Sequence, residues 1–319
     1  MRSLRGSAIV LVVAAVLVVA PTAAAAKAAK ASAKPVTIVT MNLLHGLFCP
    51  AETDSCQAPD RVQLFGDWLE RVGCPDLVGI QEVGTRLGEL LPDAVPTWCD
   101  GGYTIAWAAS AMPDREMVLT RLPIVEQGAL DIANVPWEAY WVRARSPQGP
   151  VDFLTAHFAS SSNNPACTVA NCPPVCPIGM STNECHGVEV ADFLSQRKGA
   201  ALTVVGGDLN ATPDNPTLTH LRDAKFVDAW LGSGKPECDA THRAGCTGGG
   251  TAPDPWVGMN TRQGASFDER IDYVWVKPGR GCQVRSTAKG FATTPAPKPV
   301  NGMWWPSDHA GVFATLRCS

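Results

Sequence analysis

Short runs of β-branched, aliphatic and aromatic residues recur along the chain, most of them bounded by Gly, Pro or Asp. Val36–Met41, Leu77–Ile80, Tyr103–Trp107, Met117–Thr120, Ala139–Ala144, Val151–Ala156, Leu202–Gly206, Ile271–Val276 and Ala310–Leu316 have this form and predict strands. Helical spacing appears between some of them. Pro59–Val72 sets Val62, Phe65 and Leu69 on one face with Pro59 in the favoured first turn. Gly187–Arg197 aligns Val190, Phe193 and Leu194, and Asn215–Leu221 follows the Pro213–Asp214 turn as a short helix. Consecutive strands without an intervening helix predict a layered α/β domain with antiparallel pairing. No internal repeat is visible, which excludes a solenoid or propeller. Nothing like an interdomain linker follows Pro35, so residues 36–319 read as one domain. Two long irregular stretches, Ser160–Glu184 and Lys235–Gln263, are of a length that marks them as functional or cross-linked.

The start of the chain follows another pattern. Arg2 and Arg5 precede an apolar run from Ala8 to Ala20, and small residues continue through Ala26. This is the form of a secretory signal peptide over residues 1–26, cleaved near Ala26, followed by a flexible leader over residues 27–35. The apolar run falls short of the ~20 residues that span a bilayer. A secreted, extracellular protein with no transmembrane segment in the mature chain is expected. The whole chain of 319 residues carries a formal charge of −4. Arg2, Arg5, Lys27, Lys30 and Lys34 lie in the part before Pro35 and no acid does, so the folded part is more acidic still. Sequence-independent binding to a phosphate backbone needs a basic surface, and this balance argues against a dedicated nucleic-acid binder.

Apolar residues at 45 % and charged residues at 18 % exclude general disorder, collagen and a long coiled coil. The 12 cysteines of an exported chain are expected to pair. Neighbours along the chain suggest Cys49–Cys56, Cys74–Cys99, Cys238–Cys246 and Cys282–Cys318, with two more bridges among Cys167, Cys172, Cys176 and Cys185. Zinc, with these four or His186, is the alternative for that cluster, but the spacing departs from paired zinc-binding cysteines.

Polar residues suited to metal or phosphate chemistry gather at strand ends, where a sheet holds side chains rigidly and loops admit a ligand. Each alone is an ordinary turn former or cap. Together, Thr40–Met41–Asn42, Ile80–Gln81–Glu82, Thr155–Ala156–His157, Gly207–Asp208–Leu209–Asn210, Arg270–Ile271–Asp272–Tyr273 and Ser307–Asp308–His309 form an ordered set. That set resembles the endonuclease/exonuclease/phosphatase superfamily, as do Met117–Ile124 and Asp228–Ala229–Trp230, over Val36 to Leu316. The resemblance implies a four-layered α/β sandwich: two mixed, mostly antiparallel sheets packed face to face with helices outside. It also implies divalent-metal phosphoester hydrolysis.

Hydrolysis of a phosphoester needs an activated water, charge stabilisation at the phosphoryl oxygens and help for the leaving oxygen. Oxygen ligands suit Mg²⁺, with Mn²⁺ or Ca²⁺ as substitutes. The resemblance assigns Glu82, Asn42 and Asp308 to the metal. It assigns Asp208 to the attacking water, Asn210 to a phosphoryl oxygen, and His157 and His309 to developing charge, with Asp272 supporting His309. The expected protein is a monomeric secreted metal-dependent phosphodiesterase. Its partner is a phosphoester: nucleic acid, lipid headgroup or phosphorylated small molecule. An extracellular nuclease on DNA or RNA, a sphingomyelinase-like or inositol-phosphate enzyme, and a non-catalytic binding module stay open. Trp304 and Trp305 read equally as a lipid- or base-contacting pair and as core, and Arg115 and Glu116 as cleft or solvated loop. One departure is His186–Gly187–Val188–Glu189, where relatives often open the helix with Arg and Gln, so the chemistry is better defined than the substrate.

Overall fold

Alternation along the first strand sets up the layers. Val36 and Ile38 join a core shared by two sheets, while Val39 and Met41 join a second core beneath helices. The structure is a computed structural model that describes residues 33–108, 114–248, 258–262, 264, 266–279, 282–290 and 295–318. The expected signal peptide and most of the leader lie outside the described residues.

In chain order the strands are β1 (Val36–Asn42), β2 (Leu77–Gln81), β3 (Thr104–Trp107), β4 (Met117–Thr120), β5 (Ile124–Asp131), β6 (Glu138–Ser146), β7 (Gly149–His157), β8 (Leu202–Asp208), β9 (Val227–Asp228), β10 (Asp272–Pro278), β11 (Cys282–Lys289) and β12 (Val312–Cys318). The helices are α1 (Asp54–Arg71), α2 (Thr85–Ala94), α3 (Thr182–Gln196), α4 (Pro216–Asp223) and α5 (Ala229–Gly232). One six-stranded sheet runs β11-β12-β1-β2-β4-β3 and the other β5-β6-β7-β8-β10-β9. Among the described residues only β1–β2 and β7–β8 pair in parallel; the other strand pairs are antiparallel. Val36, Ile38 and Leu77 of one sheet share a core with Phe153, Val204 and Val274 of the other. Outside, α1 and α2 bring Phe65, Leu69, Leu87 and Leu91 to the first sheet, and α3 and α4 bring Val190, Leu194, Leu218 and Leu221 to the second. The two mixed sheets with flanking helices are those expected.

Every expected strand forms. The additional strands have physical reasons for going unread. β5 is an edge strand, exposed along most of its length, so one covered face dilutes its apolar alternation. β11 is also an edge, and β9 has two residues. The unread helix α2 carries Leu87 and Leu91 on its buried face, but Pro92 interrupts its last turn. Helix α3 begins at Thr182 rather than Gly187 because Ser181 Oγ caps it, accepting the Glu184 N–H at 3.2 Å. In α1, Ser55, Cys56 and Gln57 have φ of 54, 54 and 51°, so regular helical turns begin after them, close to Pro59.

Disulfides join Cys49–Cys56, Cys74–Cys99, Cys167–Cys172, Cys176–Cys185 and Cys238–Cys246. Cys318 is disulfide-bonded as well and stands opposite Cys282 in the β11–β12 register. The four-cysteine cluster is thus cross-linked rather than arranged as a zinc site.

Glycine is required where β7 and β8 run side by side. A Cβ on Gly207 would run into the backbone oxygen of Ala156, its parallel partner. Gly207→Ala is expected to lower stability by about 1–3 kcal/mol or more through overpacking, read as a lower urea midpoint at unchanged slope.

Candidate active site

The apolar stripes that face each other across the sandwich turn polar at one end. Val36 and Ile38 lead to Thr40 and Asn42; Val151 and Phe153 lead to Thr155 and His157; Leu202 and Val204 lead to Gly206 and Asp208. In antiparallel β10 the same face begins with Asp272 and continues with Val274 and Val276. A period of two residues therefore delivers Asn42, His157, Asp208 and Asp272 to one end of the intersheet space. Register completes the placement, since His157 and Asp272 both stand opposite Asp208. Behind them Gln81 Nε2 donates to Thr40 Oγ1 at 2.9 Å and lies 2.6 Å from Thr155 Oγ1 of the other sheet, with all three residues fully buried.

Asn42 bridges the sheets. Its Nδ2 donates to Glu82 Oε1 at 2.8 Å and to Asp208 Oδ2 at 3.1 Å, and its Oδ1 accepts the Leu44 N–H at 2.9 Å. The amide thus turns its nitrogen, not its oxygen, toward the carboxylates. Glu82 follows β2 at φ 59°, an uncommon conformation for a side chain of its size that occurs at functional sites. Its Oε2 accepts the His45 N–H at 2.9 Å and lies 3.6 Å from His45 Nε2. Burial disfavours its charge, yet His157, His45, His309 and the Asn42 hydrogen bond together hold Glu82 down at about 2.

Two acid–histidine pairs flank Asp208. His309 Nδ1 lies 3.0 Å from Asp272 Oδ2, and its Nε2 lies 3.8 Å from Asp208 Oδ2. His157 Nδ1 lies 3.2 Å from Asp114 Oδ2, and its Nε2 lies 3.7 Å from Asp208 Oδ2. Trp137 stacks on His157 with centroids 5.4 Å apart. Burial works against the His157 charge, but the Asp114 hydrogen bond, with Asp208 and Glu82 nearby, lifts it to about 10. His309 is likewise disfavoured by burial and carried well above its ordinary value by Asp272 and Asp208. Burial raises Asp272 to about 6, against the pull of His309.

Asn210 has φ 45°, donates its backbone N–H to Asp208 Oδ1 at 2.9 Å and commits one amide hydrogen to Phe158 O at 2.9 Å. Ser307 Oγ lies 2.6 Å from Asn42 O and 3.2 Å from Asp308 Oδ1, tying the last motif to the end of β1. Burial raises Asp308, with His309 opposing and the Glu82 charge adding. The expected residues thus gather around Glu82 and Asp208. Donor atoms of Glu82, His157 and Asp208 lie within 4.8 Å of one another, as do those of Asp208, Asp272 and His309. Arg270 has a different task, pairing with Asp228 and Glu237 at 2.5 Å each.

Three participants were not singled out in the sequence. His45 reaches Glu82, Asp114 reaches His157, and Arg61 anchors the loops. Arg61 is 1 % exposed and donates to the carbonyls of Leu43, Leu44, Ser55, Cys56 and Pro306. A signal existed, since Arg61 precedes Phe65 by one helical turn and so lies on the apolar face of α1. Glu116 is a buried carboxyl, pushed well up by burial and by Asp114. The Arg115 guanidinium lies over the Trp107 ring at 4.3 Å. Trp305 is buried with Nε1 donating to Thr261 O at 2.7 Å, and Trp304 is half-buried beneath Arg262, so this pair packs chiefly as core. His186 is buried, its Nε2 donating to Ala133 O at 2.6 Å and its Nδ1 accepting the Ala159 N–H; burial lowers it to about 4, and it is structural.

The comparisons fit this geometry. The chain belongs to the endonuclease/exonuclease/phosphatase family, whose model matches residues 39–309. At the family level this is a phosphoesterase fold, and the family's enzymes use divalent metals. No curated protein matches the sequence. Among solved structures, an endonuclease/exonuclease/phosphatase family protein of Bacteroides thetaiotaomicron superposes with a TM-score of 0.62 at 13 % identity, covering 90 % of this chain and 99 % of its own. A mannosyl-6-phosphatase of the same organism gives 0.60 at 14 %, covering 88 % and 99 %. D. rerio TDP2 complexed with a single-strand DNA product gives 0.60 at 14 %, covering 88 % and 98 %. At these identities the likeness is one of fold.

Asp114→Asn removes the negative charge, and with it the charge-assisted hydrogen bond, that lifts His157 and leaves the burial that lowers it. The His157 titration, followed by NMR of the metal-free protein, is expected to fall from about 10. Arg61→Met leaves several buried carbonyls without a donor, each costing about 1–3 kcal/mol, and is expected to lower the melting midpoint markedly.

Proposed function

We propose that the protein is an exported, divalent-metal-dependent phosphodiesterase, made with a signal peptide over residues 1–26, a leader over 27–35 and a catalytic domain over 36–319. The observation that carries the chemistry is Asp208: one carboxylate between two imidazole Nε2 atoms at 3.7 and 3.8 Å, sharing an amide with Glu82. The disulfides support export, because such bonds persist in oxidising compartments.

The donors suit a hard cation. Glu82 is held ionised and Asp308 offers a second carboxylate, so these two would hold Mg²⁺, with Mn²⁺ or Ca²⁺ as substitutes. Asn42, the third expected ligand, stands beside them and fixes the carboxylate positions through its Nδ2. When bound, the cation supplies Lewis-acid charge to a phosphoryl oxygen. Asp208 orients the attacking water and accepts its proton. Asn210 and the protonated His157 and His309 stabilise charge on the phosphoryl oxygens, and Asp272 holds His309 with Nε2 directed at Asp208.

The test is turnover of a bis-phosphodiester, with double-stranded DNA, RNA, sphingomyelin and inositol phosphates run in parallel. EDTA is expected to abolish activity and Mg²⁺ to restore it. Undiminished turnover in EDTA overturns the reading, as does wild-type turnover by Glu82→Ala. Asn210→Ala is expected to lose about 10²–10³ in kcat through one missing charge-stabilising donor. Asp272→Asn lowers the His309 pKa, so the alkaline limb of the pH–rate profile is expected to move to lower pH.

A further inference from the structure

Large apolar side chains that stay exposed are concentrated on two loops. Leu47 and Phe48, 59 % and 91 % exposed, follow β1; Val169, Val175 and Ile178, at 85, 45 and 73 %, follow β7. Among the described residues only Val125, Val227 and Leu231 are comparable elsewhere. Both loops leave strands at the active-site end. The strand-terminal Asn42 and His157 lie 2.8 and 3.8 Å from the same Glu82 oxygen.

These tips are not spillover from an unfinished core. Cys49–Cys56 closes the first loop, while Cys167–Cys172 and Cys176–Cys185 close the second. The second loop has its own packed interior of Cys167, Cys176 and Cys185 with Ala133, Met180 and Val188. In the first, the Leu47 N–H donates to His45 Nδ1 at 2.9 Å and Phe48 meets the His45 ring edge-on at 5.5 Å. The apolar groups are thus presented on cross-linked supports, which limits the entropy lost on docking.

Charge selects the partner. Neither residues 43–57 nor residues 158–185 contain Lys or Arg; their charged residues are Glu52, Asp54 and Glu184. A nucleic-acid backbone or an anionic membrane is held by Lys and Arg, and these loops offer neither. Exposed aliphatic and aromatic side chains without cations suit the boundary of a zwitterionic lipid layer. We propose that the two loops dock the active-site end on a zwitterionic lipid surface, bringing a phosphodiester headgroup to the cleft. The identity of the scissile group rests on the phosphodiesterase reading; the docking does not.

Co-sedimentation with phosphatidylcholine vesicles in EDTA reads docking without turnover. The protein is expected to bind with little dependence on salt. Phe48→Ser and Ile178→Ser are each expected to weaken binding roughly tenfold or more, as the loss of one large buried apolar side chain implies. Leu231→Ser, at an exposed apolar side chain outside both loops, is expected to bind as wild type. Val169→Ser serves as a second probe of the β7 loop should Ile178→Ser fail to show a native melting transition. Absence of binding overturns the proposal, as does binding that requires anionic lipid and vanishes in high salt, or unchanged binding by all the loop variants. Self-association lost in the same variants would assign the surface to a second copy and overturn it too. Docking without any metal-dependent turnover would instead count against the phosphodiesterase reading alone, and soluble-substrate turnover without docking against this proposal alone.

Discussion

The Asn42 amide, shared between a carboxylate of each sheet, is the interaction on which the site depends. Glu82 follows β2 and Asp208 ends β8, and among the described residues Asn42 is the side chain that hydrogen-bonds both, with His157 Nε2 within ion-pair distance of each. Its orientation is not free, because the Leu44 N–H fixes its oxygen. A carboxylate at this position would add repulsion, and an apolar residue would leave buried oxygens unpaired at about 1–3 kcal/mol each. An amide held from behind satisfies both acids and sets their separation.

The rest of the site follows from placing acids in so small a buried volume. Asp208 raises Asp272 and Glu82 raises Asp308 by charge repulsion, and burial works against the charge of Glu82, Asp272 and Asp308, so the cluster needs nearby positive charge. His157 and His309 supply it from either side of Asp208, each steadied by its own carboxylate. Arg61 adds charge from below while its guanidinium holds the carbonyls of the loops carrying Leu43, Leu44 and Pro306. Electrostatics and loop anchoring are thus the same device, since removing either side of the balance strands the other.

The cross-links act on a different scale. They close short segments, where the gain in chain entropy is modest, and most lie in loops rather than between sheets. Two of those loops follow strands that end at the site and carry exposed apolar side chains. The sandwich has its own apolar layers, so these cross-links act on the loops they close rather than on the core.

Much of this was legible along the chain. Strands buried on both faces announce themselves as continuous apolar runs, and the polar residue closing each run marks where the interior meets the cleft. Asn42, Glu82, His157 and Asp208 at the ends of such runs, and Asp272 and His309 ahead of them, were visible as strand-end polar residues, and the resemblance to the endonuclease/exonuclease/phosphatase superfamily joined them into a set. Edge strands β5 and β11 were not, because half of each faces water and its pattern fades. Asp114 and His45 lie in loops, where spacing carries no geometry, and their roles arise only because chain folding brings them to His157 and Glu82. Periodicity and turn chemistry are local, so the chain alone marked the interior strands and the polar residues at their ends. Which nitrogen or oxygen faces which acid, and which way burial and neighbouring charge move each imidazole, depend on the tertiary structure, because hydrogen bonding, burial and Coulombic coupling involve neighbours distant in the chain.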